Sequence, residues 1–222
     1  MVITQLRSPR GCLSYLVSDA VSNETALIDP SEEITAAAYR TLLAQRGLSL
    51  IYIIETHTHA DHVSCAGALK QAMGAKIIRH RDAPSREKDN AVIGGEEFPL
   101  GRSVLRILAT PGHTNESISI DAGDAVFTGD ALLIGGTGRT DFQQGDSAAL
   151  YASLHETLGA LSDDTIVYPA HDYKNRSAST IGAEKRDNPR FALDRETFIR
   201  TLDAHHPPKP ELFERAIFEN SR

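Results

Sequence analysis

The sequence predicts an α/β fold of mixed β-sheets covered by helices on their outer faces. Three observations predict it. Short β-like runs alternate along the chain with patterns of helical period. Some consecutive runs are joined by hairpin turns and others by helices, which gives both antiparallel and parallel pairs. Five histidines fall just past the ends of predicted strands, where open α/β sheets place their ligands.

Leu13–Val17 and Ala26–Ile28 read as strands separated by the turn residues Ser22-Asn23-Glu24. Asp29-Pro30 stops the second. Ser31 is an N-cap, with Glu32 and Glu33 in the first turn where the helix dipole favours them, and this helix is expected to run to about Arg46. Leu50–Ile54 is a buried strand. A His-rich segment follows, then a helix to about Met73, then β character over Ala75–Arg79. Residues 81–101, with Pro84, Gly94, Gly95, Pro99 and Gly101, read as loop and turns. Leu105–Thr110 and Ser117–Ile120 are strands, and Asp121-Ala-Gly-Asp124 turns the chain into Ala125–Thr128. After a glycine-rich stretch, Asp146 or Ser147 caps a helix whose Leu150, Leu154, Leu158 and Leu161 form an apolar stripe. Thr165–Tyr168 is the last expected strand. The expectation is one domain over 1–222 with a short C-terminal helical tail at about 187–222, made of Arg195–Asp203 and Glu211–Glu219.

Composition excludes several classes. With 222 residues, 41% hydrophobic and 24% charged, the chain can bury a full core. Its net charge of −7 argues against nucleic-acid binding and against a polybasic membrane surface. No run approaches the roughly 18 apolar residues of a membrane span, and Met1–Arg7 has no leader-like apolar run. Two cysteines, Cys12 and Cys65, are expected as buried thiols in a reducing compartment, the cytoplasm.

Of the nine histidines, His57, His59, His62, His113 and His171 sit at strand ends, together with Asp61 and Asp130. In an extended segment His57 and His59 point to the same side, and Asp61 and His62 follow at the turn into a helix. Imidazole and carboxylate are the donors that borderline divalent metals accept, so this cluster is a candidate metal site. Pro111-Gly112-His113, Thr128-Gly129-Asp130 and Tyr168-Pro-Ala-His171 repeat the strand-end pattern. His80, His155, His205 and His206 lack that context and read as surface or core residues.

The motif His57-x-His59-x-Asp61-His62, followed by His113, Asp130 and His171, resembles the metallo-β-lactamase fold superfamily over roughly residues 10–175. The resemblance implies an αββα sandwich of two mixed sheets flanked by helices. The run Gly129–Gly145 with its Gly138-Arg-Thr-Asp-Phe-Gln-Gln144 core, Tyr168–Tyr173, Asn188-Pro-Arg190, Ser14-Tyr-Leu16 and Ala26–Pro30 is similar to the persulfide dioxygenases. That narrower resemblance implies an enzyme that oxidises glutathione persulfide with O₂ to sulfite and glutathione. It implies one Fe(II) per chain on His57, His113 and Asp130, a facial triad that leaves coordination positions open. It implies outer-shell roles for His59, Asp61, His62 and His171, glutathione contacts from Arg139 and Tyr173, and a homodimer. The alternative is a dinuclear hydroxyacylglutathione hydrolase (glyoxalase II), which uses the same donors. Against it stand the Gly138–Gln144 run and a tail short for that enzyme's helical domain. A non-catalytic metal buffer would need Cys or His tracts that the sequence does not have.

Overall fold

Aliphatic runs become inner strands and polar short runs become edges. The computed structural model describes residues 1–172 and 174–222, and these divide into two compact units. The first comprises Met1–Val92, Glu97–Leu105 and Lys209–Arg222; the second comprises Ile93–Glu96 and Arg106–Pro208.

The first unit holds a six-stranded mixed sheet in the order β1 (Val2–Arg7), β2 (Leu13–Ser18), β3 (Glu24–Ile28), β4 (Ser49–Ile54), β5 (Lys76–His80), β6 (Asn90–Val92). The β1-β2 and β2-β3 pairs are antiparallel, and β3 through β6 run parallel. Parallel neighbours need crossovers, which α1 (Ala36–Gln45) supplies between β3 and β4 and α2 (Ala66–Met73) between β4 and β5, while residues 81–89 link β5 to β6 without a helix. The helices bury Tyr39, Leu43 and Leu69 against Leu16, Leu27, Ile53 and Ile77. Each such aliphatic side chain contributes roughly 1.5–3 kcal/mol by leaving water.

Three expectations are corrected in this unit. The helix expected from Ser31 to Arg46 is broken. Ser31 Oγ accepts from Glu33 N–H at 3.3 Å, but it caps only a 3-10 turn, Glu32–Ile34. Thr35, at φ +59°, then restarts the chain as α1, with its hydroxyl accepting from Ala38 N–H. The cause is a tie elsewhere: Glu32 N–H donates to Val63 O at 2.8 Å and Ser31 bridges Ser64, so the first turn cannot align with α1. Residues 81–101 are not all loop; they contain β6 and β7 (Glu97–Leu100). Val2–Arg7, given no structure above, is the edge strand β1.

The second sheet runs β12-β11-β10-β9-β8-β7, with β8 (Ser103–Ala109), β9 (Ile118–Asp121), β10 (Ala125–Gly129), β11 (Ile166–Pro169) and β12 (Ser179–Thr180). It is mixed, since β10 and β11 are parallel and their outer neighbours antiparallel. Asp146 caps α3 (Ser147–Ala152) by accepting from Ala148 and Ala149 N–H at 2.7 and 2.9 Å. The helix continues as a π turn, Ser153–Thr157, and a 3-10 turn, Leu158–Ala160. Leu150, Leu154 and Leu158 of the leucine stripe are buried on this element against Val126, Val167, Ile181 and Phe198, and Leu161, just past its end, is half-buried. Ile181 lies on α4 (Ile181–Asp187) and Phe198 on α5 (Arg195–Asp203); the last helix, α6 (Phe213–Asn220), lies in the first unit. Among the described residues no helix is long and apolar enough to cross a membrane.

Chain segments bearing histidine or aspartate therefore leave the carboxyl ends of β4, β8, β10 and β11. Gly112, after β8, has φ +136°, and a Cβ there would overlap Leu150 of α3. Only glycine meets both conditions. Gly112→Ala is expected to lower unfolding free energy by about 2–5 kcal/mol in urea titration; a loss below about 1 kcal/mol, within the range of an ordinary surface change, would show that the close approach is relaxed.

Candidate metal centre

In the first unit, β3 and β4 pair with Ile28 beside Ile54, so Asp29 and Thr56 leave the sheet side by side. Asp29 has φ +49°. It is held there on every side: its N–H donates to Ile54 O, its carbonyl accepts from Ser14 Oγ, and its carboxylate accepts from Thr56 N–H at 2.7 Å and Thr56 Oγ1–H at 2.8 Å. Thr56 Oγ1 also lies 2.9 Å from His57 Nδ1. A hydroxyl has one proton, and here Asp29 takes it. Thr56 must therefore accept from His57 Nδ1–H, and Nε2 is the nitrogen His57 offers a metal.

His59 is fully buried, with Nε2 3.1 Å from Asp29 Oδ1 and 3.8 Å from Glu55 Oε2. His62 Nδ1 lies 3.3 Å from Asp61 Oδ2, which also accepts from Cys12 Sγ at 3.0 Å. Burial disfavours the His62 imidazolium, but the hydrogen bonds with Asp61 and Cys12 outweigh it and raise its pKa to about 10. The His57, His59 and His62 rings follow one another at centroid separations of 4.2 Å. Both nitrogens of His59 and Nε2 of His62 are buried without a hydrogen-bond partner. Orphan imidazole nitrogens in a cluster of carboxylates are what a bound cation would satisfy, so the residues present fit a metal.

In the second unit, His113 Nδ1 lies 2.6 Å from the Arg139 carbonyl. A carbonyl only accepts, so His113 likewise carries its proton on Nδ1 and offers Nε2. That Nε2 is 3.6 Å from Asp130 Oδ2. Two ligand atoms sharing one ion through bonds of about 2.1 Å are roughly 3.0–3.5 Å apart, close to this spacing. Asp130 Oδ1 accepts from His171 Nδ1 at 2.7 Å. Gly138 lies against both groups: a Cβ there would come 2.8 Å from His113 Nδ1 and 2.5 Å from Asp130 O.

The glycine-rich loop is held by groups that spacing did not reveal. Buried Asn188 donates through Nδ2 to Gly136 O at 3.1 Å and to Glu184 Oε2 at 2.8 Å, and Glu184 in turn accepts from Gly135 N–H. Asp172 accepts from Arg176, whose other amino group donates to Ile134 O at 2.6 Å. Arg139 Nε and one terminal nitrogen donate to Asp141 at 2.5 and 2.6 Å. The terminal nitrogens also reach Pro208 O and Pro207 O, and the guanidinium stacks 3.9 Å from the Phe142 ring centre. Tyr173 lies outside the described residues. Of the remaining histidines, His205 and His206 are exposed, and His155 packs on Tyr151 and Phe191. Asp29, Thr56 and Asn188 hold these segments by hydrogen bonds to partners distant in sequence as well as near ones, and none was assigned a role above. The available signals were Asp29-Pro30, read as a strand stop and as part of the Ala26–Pro30 match, and Asn188-Pro-Arg190, quoted for the family resemblance.

The Arg139 hydrogen bonds hold the Asp141 carboxyl at about 2. A depressed carboxyl stabilises the fold fully above its ordinary pKa near 4 and loses that contribution as pH falls through about 2. Asp141→Asn is therefore expected to cost about 1–3 kcal/mol at pH 7 and to flatten stability between about pH 4 and 2. Unfolding curves at both pH values test this; an unchanged acid limb would place the stabilisation elsewhere.

Residues 7–171 match the family model of the metallo-beta-lactamase superfamily. "Persulfide dioxygenase ETHE1, mitochondrial" of Bos taurus is 38% identical over the whole chain, which spans 88% of that relative. A hydroxyacylglutathione hydrolase of Polaromonas sp. strain JS666 is 36% identical, but over 88% of this chain and 74% of its own length. The crystal structure of ETHE1 from Myxococcus xanthus superposes with a TM-score of 0.96 at 40% identity, covering 100% of this chain and 98% of that one. The chain thus has the metallo-β-lactamase fold and belongs, within that superfamily, to the persulfide dioxygenase family.

Proposed function

We propose that this protein is an iron-dependent dioxygenase that converts glutathione persulfide, O₂ and water into sulfite and glutathione. The observation that carries the reading is the likeness to persulfide dioxygenases from end to end, where the likeness to a thioester hydrolase covers less of both chains. His57, His113 and Asp130 are the proposed holders of one Fe(II), and His59, Asp61, His62 and His171 the groups around them. When bound, iron supplies the electrons that make O₂ reactive toward a closed-shell sulfur anion. The chain's own contribution is orientation. Thr56 and the Arg139 carbonyl keep the Nδ1 protons of His57 and His113 in place, and His171 holds one oxygen of Asp130. Two unbridged, buried thiols suit a reducing compartment, in keeping with the cytoplasm, and the family resemblance supports a homodimer.

Hydrolysis of a glutathione thioester is the second reading, favoured by the presence of all seven donors of a dinuclear site. An oxygen electrode with glutathione persulfide, beside an assay on lactoyl-glutathione, separates the two. The expected result is one O₂ per sulfite, about one iron per chain and negligible thioester cleavage. His57→Ala, His113→Ala and Asp130→Ala should each strip the iron, and His59→Ala should retain much of it. Two tightly held zinc ions with thioester turnover and no oxygen uptake would establish the hydrolase.

Arg139 is proposed to bind a glutathione carboxylate, which requires its guanidinium to exchange Asp141 for substrate. Loss of one charge-assisted bond of about 1.5–3 kcal/mol corresponds to a KM increase of roughly 10- to 150-fold in Arg139→Ala, with iron near normal. Iron loss at unchanged KM would instead assign Arg139 to clamping the loop that carries its own carbonyl to His113.

A further inference from the structure

Asn220 stands in the last turn of α6, and its side chain is buried. Its amide is spent on the turn that follows His57. Nδ2 donates to His59 O and His62 O, both at 2.8 Å, and Oδ1 accepts from Ser64 N–H at 2.8 Å. Two donors meet two carbonyls and one acceptor meets one N–H, which is the full complement of a side-chain amide apart from spare lone pairs. Residues 55–63 are neither helix nor strand, so nothing regular fixes their shape. On one side the turn is tied to the segment before α1, through Glu32 N–H to Val63 O at 2.8 Å and Cys65 N–H to Pro30 O at 3.0 Å. On the other it is tied to Asn220. The helix that carries Asn220 is itself anchored in this unit: Ala216 is buried, Arg215 pairs with Glu32 at 2.7 Å, and Ser85 Oγ donates to Arg222 O at 2.6 Å.

We propose that Asn220 is a positioning residue for the metal motif, and that α6 is a latch whose docking sets how firmly the chain retains its metal. The two carbonyls it holds belong to His59 and His62, so the backbone directions of both rings depend on one amide from a helix 158–161 residues away. Losing that amide would leave a buried turn with two unsatisfied carbonyls and one unsatisfied N–H, and the turn would relax toward water. The metal part of this inference rests on the proposed ligand role of His57; the conformational part does not.

The test uses the full-length protein with two substitutions. Asn220→Ala removes all three bonds. Asn220→Asp keeps the volume, the α6 packing and the acceptor for Ser64, but turns an oxygen toward the two carbonyls. Iron release to a chelator is expected to accelerate at least about tenfold in both variants, and in Asn220→Asp no less than in Asn220→Ala, the size of effect that one lost buried hydrogen bond of about 1.4 kcal/mol would give. In metal-free Asn220→Ala protein, the Ser64 amide is expected to exchange with solvent at least about tenfold faster while the amides of β2 and β10 keep their protection. Iron release within twofold of the parent overturns the proposal, and so does exchange that rises evenly through the chain, because Asn220 would then act on global stability alone. If the parent retains no iron, the proposed function falls, and Ser64 exchange still decides whether the latch exists.

Discussion

A carboxylate can only accept, and the orientation of His57 descends from that fact at Asp29. Because Asp29 takes the Thr56 hydroxyl proton, the hydroxyl has only lone pairs left for the imidazole, and the tautomer of His57 is set two bonds away. The second unit reaches the same result with a main-chain carbonyl on His113. A hydroxyl alone would not suffice at either place, since a rotating O–H can serve either tautomer. The acceptor behind it removes the choice. Metal-binding histidines commonly depend on such an outer hydrogen bond, because it fixes both the ring plane and the nitrogen that is presented.

The arrangement carries a local cost. A non-glycine residue in the left-handed region is disfavoured by roughly 1–3 kcal/mol unless its surroundings over-determine it. Asp29 is over-determined: four hydrogen bonds, to β2, to β4 and to Thr56 just past β4, converge on its main chain and carboxylate. The parallel β3-β4 register makes this possible, since it delivers Asp29 and Thr56 at the same edge. The rigid part is the sheet. Ile28, Ile53 and Ile54 are completely buried, and moving any of them to relieve Asp29 would open voids that cost more than the strain.

What could be read from the sequence was what repeats locally. The leucine stripe from Leu150 to Leu161 and the aliphatic run at Leu50–Ile54 each announce their own burial; Leu150, Leu154, Leu158, Leu50, Ile53 and Ile54 are buried, while Leu161, Ile51 and Tyr52 are half-buried. The strand-end placement of His57, His113, Asp130 and His171 followed from locating those strands. The edges were harder. β6 is only Asn-Ala-Val and exists through its pairing with β5. β7 contains Pro99, which argues against an interior strand and is tolerated because β7 ends its sheet. The break at Thr35 was hidden for a different reason. Ser31, Glu32 and Glu33 form a sound helix start on local grounds, and a hydrogen bond to Val63 overrides it. The contacts of Asp29, Asn188 and Asn220 have no periodicity at all, so only the folded chain brings their partners into view.

The hydrogen bonds within each unit also pair several of the donors with one another. Asp130 gives one oxygen to the His171 imidazole and directs the other at His113. Asp61 is engaged by Cys12 and by the His62 ring. In both places an imidazole is paired with a carboxylate, and each partner fixes the other's direction. His59 differs, with its Nε2 directed at Asp29 and Glu55 rather than at an imidazole's partner. Its position lets it balance two buried acids beneath the motif, a task that requires burial and charge complementarity but no coordination bond. Within each unit the donors around the motif thus hold one another, His62 with Asp61 and His171 with Asp130, while Nε2 of His62 stays an orphan nitrogen inside the cluster.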